Sequence, residues 1–263
     1  MRLYHETALR EQADEPIVAM LELWRSLSEQ KIGVPIEVMV GNRREHPQLS
    51  SFSGELNTAF PVIVKGEVVL SLWLDSLSDV TLNPILVTHE IGHWVLKLQD
   101  FRGFIYQPQK HSDVEILLNS LAHHPPLYAL QRSLGHEPQL EIDSRTLHDI
   151  EVFSKERETK KTQFWVRNAL LFADDLMNCS EEYYIQLDKI VSKKHPNTSK
   201  LLKKILTLAP SYNLLSPDQN LKFSRKVIQD LKLDSGWREM DEVRTVISML
   251  DKAQRMKTAY NSG

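Results

Sequence analysis

The feature that most constrains the fold is a His-Glu-x-x-His motif in an apolar segment, running from His89 through Glu90 to His93. Residues four apart share one face of a helix, so the two imidazoles can bind the same ion. Glu90 would lie about 100° round the helix from His89, where it can serve a water on that ion without binding the ion itself. Neutral imidazole is a good zinc ligand, and catalytic zinc takes three protein ligands and a water. The motif therefore predicts a zinc site with Glu90 as general base.

The residues around the motif predict that this helix is buried. Asn83 and Pro84 suit a helix start, which gives a helix over 84–98. Apolar residues surround it on almost every side: Ile85, Leu86, Val87, Ile91, Trp94, Val95, Leu96 and Leu98. A helix that is apolar all round is buried, and buried histidines need partners or a metal. The pattern therefore disfavours the alternative of two solvated histidines on a surface helix.

A third protein ligand is required, and the sequence offers several candidates. The metzincin pattern is excluded, because Leu96 and Gln99 stand where it has a glycine and a histidine. An acidic residue on a following helix is the other common solution, and Glu115, 22 residues after His93, fits it. Further candidates, for the ligand or for a donor to the reacting oxyanion, are Tyr106, His111, His123 and His124, with Asp113 weaker. Adjacent histidines diverge by about 100° on a helix, which disfavours both His123 and His124 on one ion.

The remaining sequence predicts an α+β protein whose second half is helical. Before the motif we expect a helix at 14–30, a strand at 35–40, a solvated loop over 41–57, and two strands within 60–74 joined by a turn at Lys65-Gly66. After it we expect a helix from 112 to 124 stopped by Pro125-Pro126, a short helix at 127–134, a long helix at 149–177, and helices at 182–194, 198–208, 216–232 and 238–258.

The charge distribution and the cysteine count limit the possible domain organisation and the classes of partner. Residues 1–150 hold 12 basic and 20 acidic residues, whereas 151–263 hold 20 basic and 15 acidic. This asymmetry supports two domains, 1–148 and 149–263. The net charge of −3 predicts no nucleic-acid or anionic-membrane partner. The single cysteine, Cys179, fits a packed thiol in a reducing compartment. With a polar N-terminus unlike a signal peptide and no apolar run long enough for a membrane span, we expect a cytoplasmic protein.

The order of strand, His-Glu-x-Gly-His helix and Glu-x-x-x-Asn segment resembles the ImmA/IrrE metallo-endopeptidases, a zincin-like group. The resemblance covers about residues 16–126, and its matching positions are His89, Glu90, Gly92, His93, Glu115, Asn119, Leu121, Ala122 and Pro125. It implies a zincin-like domain with a small sheet and an active-site helix. It also implies that His89, His93 and Glu115 bind zinc and that Glu90 is the catalytic base. The pair His123-His124 and the second proline depart from the pattern.

Together these observations predict a zinc-dependent endopeptidase that acts on a protein or peptide substrate. We expect the helical second half to select that substrate or to bind a regulatory protein. The alternative is a non-catalytic zinc-domain regulator that acts by protein binding, and the intact Glu90 favours the enzyme. The ligand types also leave open the hydrolysis of a non-peptide amide.

Overall fold

The computed structural model describes residues 3–46, 58–75, 81, 83–107, 112–233 and 236–261. It is a mixed α+β protein. The helices are α1 (Glu6–Arg10), α2 (Glu15–Ile32), α3 (Pro84–Leu98), α4 (Ser112–Ser133), α5 (Gln139–Lys155), α6 (Thr162–Asn178), α7 (Glu181–Lys194), α8 (Pro196–Leu208), α9 (Pro217–Asp230) and α10 (Glu242–Asn261). The strands are β1 (Leu3–Tyr4), β2 (Val38–Asn42), β3 (Thr58–Val64), β4 (Glu67–Leu74), β5 (Phe104–Tyr106) and β6 (Trp237–Glu239). Short 3-10 turns occur at Arg43–Glu45 and Ala209–Ser211.

The chain folds into two units that interleave along the sequence. Unit 1 comprises residues 1–100, 130–136 and 241–263, and unit 2 comprises 101–129 and 137–240. The single boundary that charge asymmetry predicted between residues 148 and 149 does not coincide with this division. Among the described residues, no helix is both long enough and apolar enough to cross a bilayer.

Unit 1 is built on a four-stranded sheet in the order β1-β2-β4-β3. β2 and β4 are parallel, whereas β1 and β3 run antiparallel to their neighbours. The hairpin between β3 and β4 turns at Lys65 and Gly66, whose φ angles of 50° and 80° confirm the predicted tight turn. Asp14 caps α2 by accepting a hydrogen bond from the Ile17 amide at 3.0 Å. α2 ends where Gly33 takes a φ of 89°.

The core of unit 1 lies between the sheet and helices α2, α3 and α10. Residues from all four elements are buried in it, including Trp24, Leu70, Ile91 and Val246. The predicted loop over 41–57 lies outside the described residues from 47 onward. Its described part is not fully solvated, because Arg43 is buried in an ion pair with Asp75.

Unit 2 consists of most of α4, helices α5 to α9 and a small sheet. Its core is a cluster of apolar side chains from these helices. The small sheet pairs β5 with β6 in antiparallel register, with Ile105 opposite Arg238. The prediction of an all-helical second half is therefore wrong at β6, a strand too short to show alternation in sequence. The predicted later helices are confirmed as α7, α8, α9 and α10.

Helix α4 continues through Pro125 and Pro126, where the sequence predicted a stop and a separate helix over 127–134. A proline lacks the N–H that would bond the carbonyl four residues earlier. The carbonyl that Pro126 leaves without this bond belongs to Ala122, and the Asn220 side chain donates to it at 2.6 Å. A donor from α9 thus replaces the missing backbone bond, and the predicted stop is wrong.

The predicted long helix over 149–177 is also wrong, because α5 ends at Lys155 and α6 begins at Thr162. In the connection, the carboxylate of Glu158 accepts hydrogen bonds from the amides of Asn197 at 3.1 Å and Thr198 at 2.8 Å. These amides belong to the first turn of α8, where backbone N–H groups have no partner within the helix. The break between α5 and α6 therefore places Glu158 where it can cap α8, about 40 residues further along the chain.

Candidate metal centre

The two motif histidines lie side by side on α3, whose bounds match the predicted helix. Their Nε2 atoms are 3.2 Å apart and their ring planes are 85° apart. Both side chains are half-buried. Two nitrogen ligands at about 2.0–2.1 Å from tetrahedral zinc are themselves separated by roughly 3.3 Å. The observed spacing therefore fits two ligands of one zinc ion.

A buried hydrogen-bond network holds the first turns of α3. Thr88 Oγ1 lies 2.9 Å from Nδ1 of His136 and accepts a hydrogen bond from Gln131 Nε2, also at 2.9 Å. His136 Nε2 in turn lies 2.9 Å from Oδ2 of Asp14. Thr88 and Gln131 are fully buried. The network fixes the backbone directly before the first motif histidine. The residues next to the motif in sequence do not predict this network.

The far end of α3 is attached to the sheet and to α10. Trp94 Nε1 donates a hydrogen bond to the carbonyl oxygen of Ala59 at 2.7 Å. The ammonium group of Lys97 lies 3.8 Å from the centroid of the Trp94 ring, a cation–π contact. It also lies 3.6 Å from Oε1 of Glu242, at the start of α10. The helix that carries the motif is thus held at both ends within unit 1.

Glu90 lies next to His89 on α3 and is half-buried. Desolvation raises the pKa of its carboxyl to about 8, and the Lys97 ammonium partly opposes this rise. A carboxyl that titrates near neutral pH can both take and return a proton in a reaction cycle. A divalent cation on the neighbouring imidazoles would favour the carboxylate form. The environment of Glu90 is therefore suited to a general base.

In unit 2, Glu115 is bonded to the strand that follows α3. Its carboxylate accepts a hydrogen bond from the backbone amide of Tyr106 at 3.0 Å. One turn later, Asn119 accepts from the Phe104 amide at 2.8 Å and donates to the Phe104 carbonyl at 2.9 Å. The Tyr106 ring packs against Trp237, with centroids 5.5 Å apart. These contacts give Glu115 and Asn119 a shared role in placing β5, beyond any role in metal binding.

His123 and His124 are both buried, and they have different partners in unit 2. His123 Nε2 lies 3.3 Å from the carbonyl oxygen of Arg102. His124 Nδ1 lies 2.7 Å from Oδ2 of Asp174. One ring nitrogen bonded to a carboxylate is the usual arrangement of a metal-binding histidine, because the bond fixes the ring and its tautomer. The candidate His111 lies outside the described residues.

Asp174 and Asp175, adjacent on α6, both contact Arg145. Arg145 donates to Oδ2 of Asp174 and to Oδ1 of Asp175, both at 3.2 Å. Nearby Cys179 is half-buried, and burial raises the pKa of its thiol to about 11. Such a thiol is protonated at neutral pH, in agreement with the predicted unreactive cysteine.

Comparison with known proteins identifies no relative of this chain. No family model, no curated protein and no solved structure matches the chain. The resemblance to the ImmA/IrrE metallo-endopeptidases therefore stays an expectation from the motif residues. A proposal of function therefore rests on the side chains of the site alone.

Proposed function

We propose that the chain is a zinc-dependent endopeptidase with a zincin-like domain. The observation that carries the proposal is the 3.2 Å separation of the His89 and His93 Nε2 atoms on a helix that also bears Glu90. A purely structural zinc site is closed by four protein ligands and needs no base beside it. A base next to two ligands on one helix favours a site that activates water.

Zinc requires a third protein ligand, and we propose that α4 supplies it. The resemblance implies Glu115, whose Oε2 accepts a hydrogen bond from the Tyr106 amide; metal-binding carboxylates commonly accept such bonds as well. The alternative His124 is 5% exposed, and its Nδ1 lies 2.7 Å from Oδ2 of Asp174. Glu115 therefore stays the proposed third ligand, with His124 as the alternative.

In the proposed reaction, Glu90 moves the protons. When bound, zinc lowers the pKa of a coordinated water to about 7 and polarises the substrate carbonyl. Glu90 accepts one proton from the water molecule as the water oxygen attacks the carbonyl carbon of the peptide bond. It passes this proton to the amide nitrogen as the C–N bond breaks, which regenerates the carboxylate. The products are a carboxylic acid and an amine.

The outer edge of β3 is the proposed platform for an extended substrate. An exposed edge strand can pair with a peptide through backbone hydrogen bonds. Part of this edge is already used, because the carbonyl oxygen of Ala59 accepts from Trp94 Nε1. Pro61 offers no N–H for pairing. A peptide paired along β3 would therefore lack the Ala59 carbonyl as an acceptor and an N–H donor at position 61.

The proposed substrate is a protein or peptide, and unit 2 is the proposed surface for selecting it or for binding a regulatory protein. The single cysteine supports the cytoplasm as the proposed location, because secreted domains commonly rely on disulfides. The net charge of −3 gives no support to nucleic acid as a partner.

Metal analysis and peptide cleavage by matched variants test the proposal. We expect zinc in the wild type and in Glu90→Gln, but cleavage of a proteome-derived peptide library by the wild type only. We expect His89→Ala to lose both zinc and cleavage. Glu29→Gln and His148→Ala are matched controls, because both side chains are exposed on other helices. Both controls should retain zinc and activity.

Two outcomes would contradict the proposal in different ways. A wild-type protein that binds zinc tightly but yields no new peptide termini would support the non-catalytic regulator instead. Cleavage that persists in Glu90→Gln would exclude this carboxyl as the base. Full zinc occupancy in Glu115→Ala would reject Glu115 as the third ligand, and loss of zinc in His124→Ala would then favour His124.

A further inference from the structure

Unit 2 carries a surface on which positive charge is concentrated. The end of α5 with its connection to α6, and the junction of α7 with α8, hold six exposed basic residues, which together form the basic patch: Lys155, Arg157, Lys160, Lys161, Lys193 and Lys194. The same two segments, 155–161 and 193–198, hold only two acidic residues, Glu156 and Glu158. Positive charge therefore exceeds negative charge in these segments, although the whole chain has a net charge of −3.

Hydrogen bonds hold the two segments of the basic patch against each other. The carboxylate of Glu158 accepts from the Thr198 amide at 2.8 Å. The Lys194 ammonium donates to the carbonyl oxygen of Ser154. The two segments therefore lie side by side, and one of their two acidic side chains is already used as the cap of α8.

The cations of the basic patch lack counter-ions within the protein. None of the six forms an ion pair with a residue that the structure describes. Other exposed lysines do, as Lys31 with Asp100 at 2.8 Å and Lys257 with Glu67 at 3.2 Å. Like charges that are grouped without counter-ions repel one another and do not stabilise the fold. An anionic partner would supply the missing charges.

A cavity of about 560 Å³ lies beside the basic patch, within unit 2. Arg157 of the patch lines it, and so does Arg167, which lies 3.7 Å from the carboxylate of Asp113. Part of its wall is apolar and is formed by Val152, Phe153, Phe164 and Leu171. Phe164 is 37% exposed, so it can lose further apolar surface to an occupant. The surface therefore offers positive charge next to a space that can bury an apolar group.

We propose that the basic patch and this cavity bind an acidic segment of a protein partner, with its carboxylates on the patch and an apolar side chain in the cavity. This inference rests on the proposed function, because it names the class of protein that unit 2 selects as substrate or regulator. A peptide is favoured over nucleic acid for two reasons. The net charge of −3 opposes the approach of a long polyanion, and phosphate binding has no use for the apolar wall.

Fluorescence anisotropy of a labelled peptide tests the inference on the full chain carrying Glu90→Gln, in which the proposed base is missing and the probe stays intact. The probe is a fluorescein-labelled peptide of repeated Asp-Leu-Glu units, and its neutral counterpart repeats Asn-Leu-Gln. We expect the acidic peptide to bind at least about tenfold more tightly. The difference should shrink as salt is added, because salt screens exposed charges. Equal affinity for the two peptides would overturn the inference.

Charge reversal locates the binding surface. Lys160→Glu combined with Lys193→Glu should raise the Kd of the acidic peptide about tenfold. Lys222→Glu combined with Lys252→Glu is the matched control, because it makes the same change of net charge at exposed positions on α9 and α10. The control should lose much less affinity than the patch variant. Equal losses in the two variants would mean that only net charge matters and would overturn the role of the patch.

Phe164→Ala tests the cavity separately from the charges. It should raise the Kd of the Asp-Leu-Glu peptide about tenfold, because the apolar side chain of the peptide loses its main contact. It should leave binding of a peptide made of glutamate alone unchanged. An unchanged Kd for the Asp-Leu-Glu peptide would overturn the assignment of the cavity.

The remaining outcomes separate this inference from its rivals and from the peptidase proposal. Tighter patch-dependent binding of a single-stranded oligonucleotide, or of phosphatidylserine vesicles, would overturn the choice of a peptide partner. Cleavage of library peptides by the wild type without binding of the acidic probe overturns this inference alone. Patch-dependent binding of the acidic probe supports it, even if the wild type cleaves nothing and the peptidase proposal fails.

Discussion

The replacement of a backbone hydrogen bond by Asn220 predicts a specific energetic coupling between α4 and α9. Asn220 is 1% exposed, and its Nδ2 donates to the Ala122 carbonyl at 2.6 Å and to the Leu214 carbonyl at 3.0 Å. Asn220→Ala removes both donors. Leu214 is half-buried, so water can replace its bond, whereas Ala122 is buried and water cannot reach its carbonyl. An unsatisfied buried carbonyl costs about 1–3 kcal/mol.

We therefore expect Asn220→Ala to lower the free energy of unfolding by about 2 kcal/mol, most of it from the Ala122 carbonyl. Pro126→Ala restores an N–H four residues after Ala122, so the helix can make this bond itself. In the Pro126→Ala background, the loss of unfolding free energy caused by Asn220→Ala should be smaller than in the wild type. We expect the difference to be at least about 1 kcal/mol. Urea unfolding followed by circular dichroism measures all four proteins. Lys222→Ala, an exposed change on α9, is the control. Equal costs of Asn220→Ala in the two backgrounds would refute the reasoning.

Two further predictions concern the anchoring of α3 and the acidic pair of unit 2. Thr88→Val keeps the shape of the side chain but removes the acceptor for Gln131, so the free energy of unfolding should fall by about 1–3 kcal/mol; an unchanged urea midpoint would argue against the network. Burial raises the pKa of Asp175 well above its usual range, and the Asp149 and Asp174 carboxylates add to the rise. Above about pH 4, the folded protein then binds more protons than the unfolded one. The stability that Asp175 contributes is therefore lost as the pH increases from about 4 through its raised pKa. Asp175→Asn should flatten the dependence of unfolding free energy on pH, and parallel wild-type and variant curves would contradict this.

The sequence predicted the parts of the fold that depend on neighbouring residues. The apolar pattern around His89 and His93 gives the bounds of α3, because its burial is encoded in the helix itself. The turn at Lys65 and Gly66 follows from the freedom of glycine to take a positive φ. Both features need only a few consecutive residues.

The errors arose where a distant group overrides a local preference. Pro125 and Pro126 would end a helix in isolation, but Asn220, 98 residues after Ala122, supplies the missing donor. Glu158 lies in a stretch that reads as a helix, and its role as a cap on α8 is visible only in the fold.

The candidate site divides in the same way. The motif itself indicates His89, Glu90 and His93, whereas the side chains that hold the start of the motif helix come from elsewhere in the chain. Gln131 reaches Thr88 across 43 residues, and His136 reaches it across 48. Their residue types are common, so only the structure distinguishes them.

The position of α10 has a consequence for the order in which the protein can mature. Val246 and Ala253 are buried in the core of unit 1, together with side chains from α2 and β4. On the ribosome, residues from the first hundred emerge long before these two, while all of unit 2 is made in between. The core around the motif helix therefore stays incomplete until the last segment of unit 1 is synthesised. The nascent chain is a natural client for chaperones during that interval.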